Sequence, residues 1–142
     1  MRLMRYINLF GKISHVSTTD CFIYNNTIYF AVPKSLVYRA VGKHGENIKK
    51  LSELLRRKIR IISIKKIYDL DKEQRKADLI RDFVKEIVFP VEFNSYNFKE
   101  GVFSISGARE SKAILIGRNR SREKELSEIL QRTWGIKEFK VI

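Results

Sequence analysis

Residues Ala40–Leu51 read AVGKHGENIKKL, a turn with two glycines set between an apolar segment and a basic amphipathic segment. Two glycines that flank two polar residues let the backbone approach a sugar-phosphate chain closely, because glycine has no side chain. The helix predicted after the turn would present free N–H groups and a positive dipole end to a phosphate. A GxxG sequence is common by chance, so its meaning depends on the elements around it.

The flanking sequence predicts the order β-β-α-turn-α-β. Two β-prone runs, Cys21–Tyr24 and Ile28–Val32, are separated by an Asn pair that tolerates the left-handed conformations of a tight hairpin. A short apolar helix leads into the turn and an amphipathic helix follows it. The β-branched run Ile59–Ile64 closes the module, and a helical segment, Arg5–Ile13, precedes it.

The chain contains an internal repeat. The word LSELL at Leu51–Leu55 recurs as LSEIL at Leu126–Leu130, an offset of 75 residues. The same offset matches Gly42 to Gly117, Ile28 to Phe103 and Phe30 to Ile105. We infer an α+β chain of two related modules, domain 1 over residues 1–66 and domain 2 over residues 67–142. We expect them to be rigidly joined, because no flexible linker separates them.

The second module predicts the same order of elements. Strands are predicted at Val91–Phe93 and Val102–Ile105, with Asn94–Gly101 as the connection between them. A leading helix is predicted over Lys72–Val88 from its apolar periodicity. Ser121 is the predicted N-cap of the long helix that follows the second turn.

The charge of the chain indicates a polyanionic partner. With 29 Lys and Arg against 16 Asp and Glu, the net charge is +13 and the pI is near 10.0, which suits nucleic acid or an anionic membrane surface. Residues 1–68 carry 14 basic and 3 acidic side chains, a net +11, whereas residues 69–142 carry 15 and 13, a net +2. This asymmetry favours a binding face over a general adjustment of solubility.

Other features of the composition exclude several classes of protein. The single cysteine, Cys21, cannot form an intramolecular disulfide, so we expect a reducing, cytoplasmic setting. No apolar run approaches the roughly 20 residues that span a membrane, and no membrane partner is expected. The two His residues and the absence of Cys/His ligand spacing argue against a metal site or a nuclease, so we expect neither a cofactor nor catalysis.

Gly42-Lys43-His44-Gly45, with a strand pair before it and a strand after it, resembles the loop of a KH domain. That loop clamps about four nucleotides of single-stranded RNA or DNA. The leading helix and the order β-β-α-α-β resemble the type II form, so the expected fold is α-β-β-α-α-β in each of two tandem KH domains. The second module has Gly117-Arg118-Asn119-Arg120 at this place, with Arg120 where the last glycine would be.

Three interpretations of the second loop stay open. The Arg120 side chain could obstruct the close approach of a nucleic-acid backbone. Alternatively, Arg118, Arg120 and Arg122 could hold phosphates electrostatically. The module could also be a degenerate copy kept for packing.

The resemblance narrows to archaeal NusA. RYINLF at Arg5–Phe10, AVGKHGEN at Ala40–Asn47 and ILIGRN at Ile114–Asn119 are similar to that family in order and spacing, and the match covers essentially the whole chain. The resemblance implies an RNA-binding factor of transcription elongation or termination, acting on the nascent transcript beside RNA polymerase. We separately expect the protein to be a monomer. A ribosome-associated or RNA-processing KH protein and a protein-binding adaptor are the alternatives.

The residues expected to contact RNA come from both turns and the helices after them. They are Gly42, Lys43, His44, Gly45, Lys49, Gly117, Arg118, Asn119, Arg120 and Arg122. Three apolar residues could serve both the core and the base groove: Val41, Ile48 and Ile62. Four basic residues after the first long helix could be a solvated helix end or extend the phosphate track: Arg56, Arg57, Lys58 and Arg60.

Overall fold

A computed structural model describes residues 2–66 and 73–142. The chain divides into two compact units, Met1–Lys65 and Lys66–Ile142, called unit 1 and unit 2 below. Within the described residues each unit has three α-helices and a three-stranded sheet, in the order α-β-β-α-α-β. The α+β fold of two tandem type II KH-like units is therefore confirmed.

Unit 1 has the following elements: α1 (Arg2–Ser14), β1 (Asp20–Tyr24), β2 (Thr27–Val32), α2 (Val37–Val41), α3 (Glu46–Leu55) and β3 (Lys58–Ser63). Strand β2 lies in the middle of the sheet, antiparallel to β1 and parallel to β3. Short 3₁₀ turns, Lys34–Leu36 and Lys43–Gly45, precede α2 and α3.

The core of unit 1 lies between the sheet and its three helices. Phe10 of α1 stacks on Phe30 of β2 with ring centroids 4.4 Å apart, and both side chains are fully buried. Ala40 and Leu51 bring α2 and α3 into the same cluster. Burying a Phe or Leu side chain contributes roughly 1.5–3 kcal/mol, so the packing of Phe10, Phe30 and Leu51 holds α2, α3 and the turn between them on the core.

Unit 2 repeats the plan with α4 (Glu73–Val88), β4 (Ser95–Lys99), β5 (Val102–Ser106), α5 (Arg109–Ile116), α6 (Ser121–Trp134) and β6 (Glu138–Val141). Strand β5 is antiparallel to β4 and parallel to β6. Phe103 and Ile105 are fully buried, as are Ile28 and Phe30 at the matching positions of unit 1. The predicted start of the leading helix, Lys72, lies outside the described residues.

The prediction of a strand at Val91–Phe93 is wrong. The strand is Ser95–Lys99, inside the predicted connection, and it pairs Tyr96 with Ile105 and Phe98 with Phe103. Its side chains alternate between exposed and half-buried, but Ser, Asn and Lys on the exposed side made the segment resemble a turn. The turn itself is confined to Glu100 and Gly101, both with positive φ.

Ser121 is not the N-cap of α6. The helix begins at Ser121, and the preceding residue, Arg120, occupies the N-cap position without a side-chain capping bond. Arg120 has left-handed backbone angles that belong to the turn, so the helix starts without the Ser cap that the composition suggested.

Candidate nucleic-acid interface

The first candidate loop, Gly42–Gly45, joins α2 to α3 in a tight turn. The Gly42 N–H donates to the Tyr38 carbonyl at 3.1 Å and ends α2, while the Gly45 N–H donates to the Gly42 carbonyl at 3.0 Å. His44 and Gly45 both have left-handed backbone angles. Lys43 and His44 are exposed at the tip, so the loop presents a cation and an imidazole to solvent.

Gly42 is required for both conformation and space. Its φ of 84° and ψ of 163° lie in a region that only glycine adopts readily. A Cβ at this position would lie 2.9 Å from Cγ of Asn47. Asn47 is buried, and its Nδ2 donates to the carbonyls of Arg39 and Ala40 at 3.3 and 3.1 Å. The loop is therefore held in shape from its inner side.

Asn47 is a positioning residue that the sequence reasoning missed. The sequence did carry a signal for Asn47. It lies four residues before the apolar Leu51, which places both residues on the core-facing side of α3. Burying a side-chain amide on that side costs free energy unless the amide is hydrogen-bonded.

Gly45 faces open space. A Cβ added there would meet no atom within 4 Å. Lys49, one helical turn further along α3, is exposed, and neither it nor Lys43 forms an ion pair with any residue that the structure describes. The solvent-facing side of the loop is therefore open at Gly45. The charges of Lys43 and Lys49 are not neutralised by any residue among 2–66.

The loop of unit 2 has the same backbone conformation. Asn119 has φ 56° and ψ 31°, against 56° and 27° for His44. Gly117 donates to the Ala113 carbonyl at 3.0 Å and Arg120 to the Gly117 carbonyl at 3.2 Å, which repeats the hydrogen bonds of the first loop. Replacing the last glycine by Arg120 therefore leaves the backbone of the turn unchanged.

The charges of the second loop are largely satisfied within unit 2. Nε and a terminal nitrogen of Arg120 donate to the two carboxylate oxygens of Glu123 at 2.7 and 3.2 Å. Glu123 is buried and also accepts the Val141 N–H at 2.9 Å. Arg122 pairs with Glu125 at 2.9 Å. The third arginine of this loop region, Arg118, is exposed and forms no ion pair with a described residue.

Hydrogen bonding sets the protonation states of this pair. Burial alone would raise the pKa of the Glu123 carboxyl, but the bonds from Arg120 and the Val141 N–H, with the positive charges of Arg120 and Lys140, outweigh it and lower the pKa. The hydrogen bond to Glu123 raises the pKa of Arg120. Both groups are charged near neutral pH.

The KH domain family matches residues 5–79 of the sequence, just over half of the chain. The chain belongs to the KH domain family. Membership indicates RNA binding, since KH domains hold single-stranded nucleic acid at their GxxG loop. The loop Gly42–Gly45 lies inside the matched segment, and Gly117–Arg120 lies outside it.

Two known proteins are similar to this chain over nearly its whole length. The sequence is 27% identical over 141 residues to the Probable transcription termination protein NusA of Methanocaldococcus jannaschii, a match that covers 96% of this chain and 70% of that protein. The crystal structure of APE1850 matches with a TM-score of 0.64 at 24% identity, covering 98% of this chain and 96% of that one, a likeness of fold. The similarity to archaeal NusA inferred from the motifs is confirmed.

The remaining predicted residues differ in accessibility around the KH loop. Ile62 is buried, whereas Val41 and Ile48 are half-buried and reachable from outside. The sequence reasoning missed Tyr38, which is 79% exposed and lies one turn before Gly42. An aromatic side chain this exposed beside a nucleic-acid loop can stack on a base.

Two acidic residues of α4, Asp78 and Asp82, form ion pairs with Arg81. Asp82 and Asp78 lie 2.9 and 3.8 Å from the guanidinium of Arg81, and Tyr96 donates to Asp78. Within the described residues, no cluster of His, Cys, Asp or Glu could hold a metal ion. None of the helices in residues 2–66 and 73–142 is long and apolar enough to cross a membrane.

Proposed function

We propose that this KH protein binds single-stranded RNA mainly through the loop Gly42–Gly45. In this account the loop backbone and Lys43 hold phosphates, His44 donates to or stacks on the RNA, and Lys49 extends the phosphate contacts along α3. The bases lie toward Val41 and Ile48, with Tyr38 as a stacking platform. The observation that carries the proposal is an open, glycine-flanked loop whose Lys43, like Lys49 in the helix after it, forms no ion pair with a described residue.

Unit 2 contributes less in this account. Its loop has the same shape, but Arg120 and Arg122 are engaged by Glu123 and Glu125, and the net charge of residues 69–142 is only +2. Gly117, Arg118 and Asn119 add a weaker contact that lengthens the bound strand. If both loops engage one RNA, the second contact raises affinity through its effective concentration.

The biological role proposed is that of a NusA-type factor on nascent RNA. Support comes from the similarity along 96% of the chain to a protein named as a probable transcription termination protein. RNA polymerase is the proposed protein partner. The transcript emerging from the enzyme is single-stranded, which is the form that a KH loop accepts.

Binding specificity tests the RNA-binding part of this proposal. The protein should bind an unstructured 12-nucleotide RNA much more tightly than a duplex of the same sequence. Its affinity should fall with salt at a log–log slope of about −0.7 for each phosphate contacted. Equal affinity for single strand and duplex would contradict a KH-type clamp and indicate general electrostatic attraction.

Co-purification tests the role in transcription. Tagged protein isolated from its native cells should bring down RNA polymerase subunits, and adding it to a purified elongation complex should change pausing or termination. Recovery of small ribosomal subunits without polymerase would favour a ribosome-associated KH protein. Absence of RNA affinity at physiological salt would leave only an adaptor role.

A further inference from the structure

A second group of basic residues lies at the opposite end of α3 from the KH loop. Ten residues of helix, at 1.5 Å each, separate the two ends by roughly 15 Å. Here the chain leaving α3 meets the β1–β2 turn, and together they form an open groove of about 640 Å³. Its lining is entirely polar or basic: Asn25, Asn26, Thr27, Arg56, Arg57 and Lys58.

The fold holds this groove in a defined shape. Lys58 is the register partner of Thr27 in the parallel β2–β3 pair. The Ser52 hydroxyl donates to the Arg57 carbonyl at 2.9 Å and fixes the turn after the helix. Asn25, Asn26 and Arg56 all have left-handed backbone angles, which reverse the chain sharply at both sides of the groove.

The groove concentrates positive charge without a compensating carboxylate. None of Arg56, Arg57 and Lys58 forms an ion pair with a residue among 2–66 or 73–142. Arg60, two residues further on, differs because its guanidinium donates to the Tyr29 hydroxyl at 3.0 Å and covers that ring at 5.2 Å. The four basic residues of this segment therefore separate into one structural arginine and three cations that line the groove.

The corresponding end of unit 2 has a different chemistry. The turn there is Glu100-Gly101, and the register partner of Val102 in β6 is Glu138, the counterpart of Lys58. Glu138 pairs with Lys140 at 3.8 Å, and the N–H groups of Lys137 and Glu138 both donate to the Gly101 carbonyl. The basic groove is thus a property of unit 1 rather than of the fold.

We propose that this groove binds a phosphodiester of the RNA strand whose other part is held by the KH loop, an inference that rests on the proposed RNA-binding function. Two guanidinium groups and an ammonium supply charge-assisted donors, and the exposed Asn26 amide supplies a neutral one. The RNA then follows α3 from the loop to the groove. A KH loop clamps about four nucleotides, so a tetranucleotide is taken up at the loop, whereas a longer strand has further phosphodiesters for the groove.

Dependence on RNA length tests this inference. Fluorescence anisotropy would measure the affinity of a labelled tetranucleotide and a labelled unstructured 12-nucleotide RNA for the wild type, Arg57→Ala/Lys58→Ala and Lys137→Ala/Lys140→Ala. The last variant removes the same charge at the corresponding end of unit 2. We expect the groove variant to bind the longer RNA at least tenfold more weakly, with tetranucleotide affinity within about twofold of wild type. The control should stay within about twofold for both RNAs.

Three results would overturn the groove as an RNA site while leaving the proposed function intact. They are equal losses for both RNA lengths, equal losses in the control, and unchanged affinity of the groove variant for the longer RNA. Calorimetry would also show whether the protein binds inorganic phosphate. If Arg57→Ala/Lys58→Ala abolished phosphate binding but left the affinity for RNA unchanged, the occupant of the groove would be a free phosphate. Failure of the wild type to bind either RNA would instead overturn the proposed function and this inference together.

Discussion

Arg120 has the backbone conformation of Gly45. The two residues end equivalent loops with φ and ψ of 61° and 23° for Arg120 and 72° and 21° for Gly45. The two loops differ in the side chain at this position and in its partner. In unit 2, Glu123 binds the Arg120 guanidinium. The residue of unit 1 that matches Glu123 in the repeat is Ile48, which cannot form such a bond. The two loops therefore share a shape but differ in access and charge.

Exchanging the residues at this position should separate shape from access. Gly45→Arg should remain folded, at a cost of about 1–2 kcal/mol for a left-handed non-glycine residue, since a Cβ there meets nothing within 4 Å. Its RNA affinity should fall at least fivefold, because the new side chain lies where the RNA backbone approaches. Gly45→Ala is the control, with the same backbone cost and a much smaller loss of affinity. Equal losses for Ala and Arg would attribute the effect to the backbone alone.

Gly42 should tolerate substitution less well than Gly45. Gly42→Ala places a Cβ 2.9 Å from the Asn47 side chain at backbone angles that alanine avoids, so we expect a loss of about 2–3 kcal/mol. Gly45→Ala should lose less, about 1–2 kcal/mol, because only the left-handed backbone conformation is penalised there. Urea unfolding of the two variants measures both values. The reverse order would mean that Asn47 yields easily and does not hold the loop.

Tyr38 should contribute to RNA affinity without contributing to stability. Stacking on one base is worth about 1–3 kcal/mol, so Tyr38→Ala should weaken binding about 5- to 150-fold while leaving the unfolding midpoint unchanged. The matched control is Leu54→Ala, since Leu54 is 61% exposed on α3 beside α1 rather than beside the loop. Equal affinity of the Tyr38 variant and wild type would remove Tyr38 from the interface.

The stability contributed by Glu123 should depend on pH. Its pKa is lowered in the folded state, so the stabilisation is present above the unfolded pKa of about 4.3 and is lost as the pH falls through the folded pKa. Glu123→Gln should be less stable than wild type at pH 7, and the difference should shrink progressively below about pH 4. Urea unfolding at several pH values tests this. A difference that stays constant to pH 3 would contradict the ionised pair with Arg120.

The repeated order of elements and the turn between α2 and α3 were predictable from the sequence, because glycine spacing and apolar periodicity are local signals. The alternation of Tyr96 and Phe98 in β4 was obscured by the polar residues between them. The ungapped offset of 75 fails inside α6, because α6 is longer than α3. That offset places Arg57 on Arg132, but Arg57 follows α3 whereas Arg132 lies within α6.

The state of the basic residues could not be predicted from the sequence. Whether Arg120 is free depends on Glu123, which is fixed by the Val141 N–H from a strand far along the chain. In the same way, the pairing of β3 with β2 places Arg60 beside Tyr29, to which it donates a hydrogen bond. The sequence does not show that Arg60 has this partner and that Lys58 lines the groove instead. These outcomes depend on tertiary contacts rather than on local composition.

RNA binding by matched loop variants tests the central claim most directly. Lys43→Asp/His44→Asp and Arg118→Asp/Asn119→Asp lower the formal net charge equally, because each replaces one Lys or Arg and one residue that the formal count of +13 treats as uncharged. Circular dichroism would show that both stay folded, and anisotropy with an unstructured 12-nucleotide RNA would measure affinity. We predict a loss of tenfold or more, about 1.4 kcal/mol, for the first-loop variant and a clearly smaller loss for the second. An equal or larger loss for the second-loop variant would contradict the assignment of RNA binding to Gly42–Gly45.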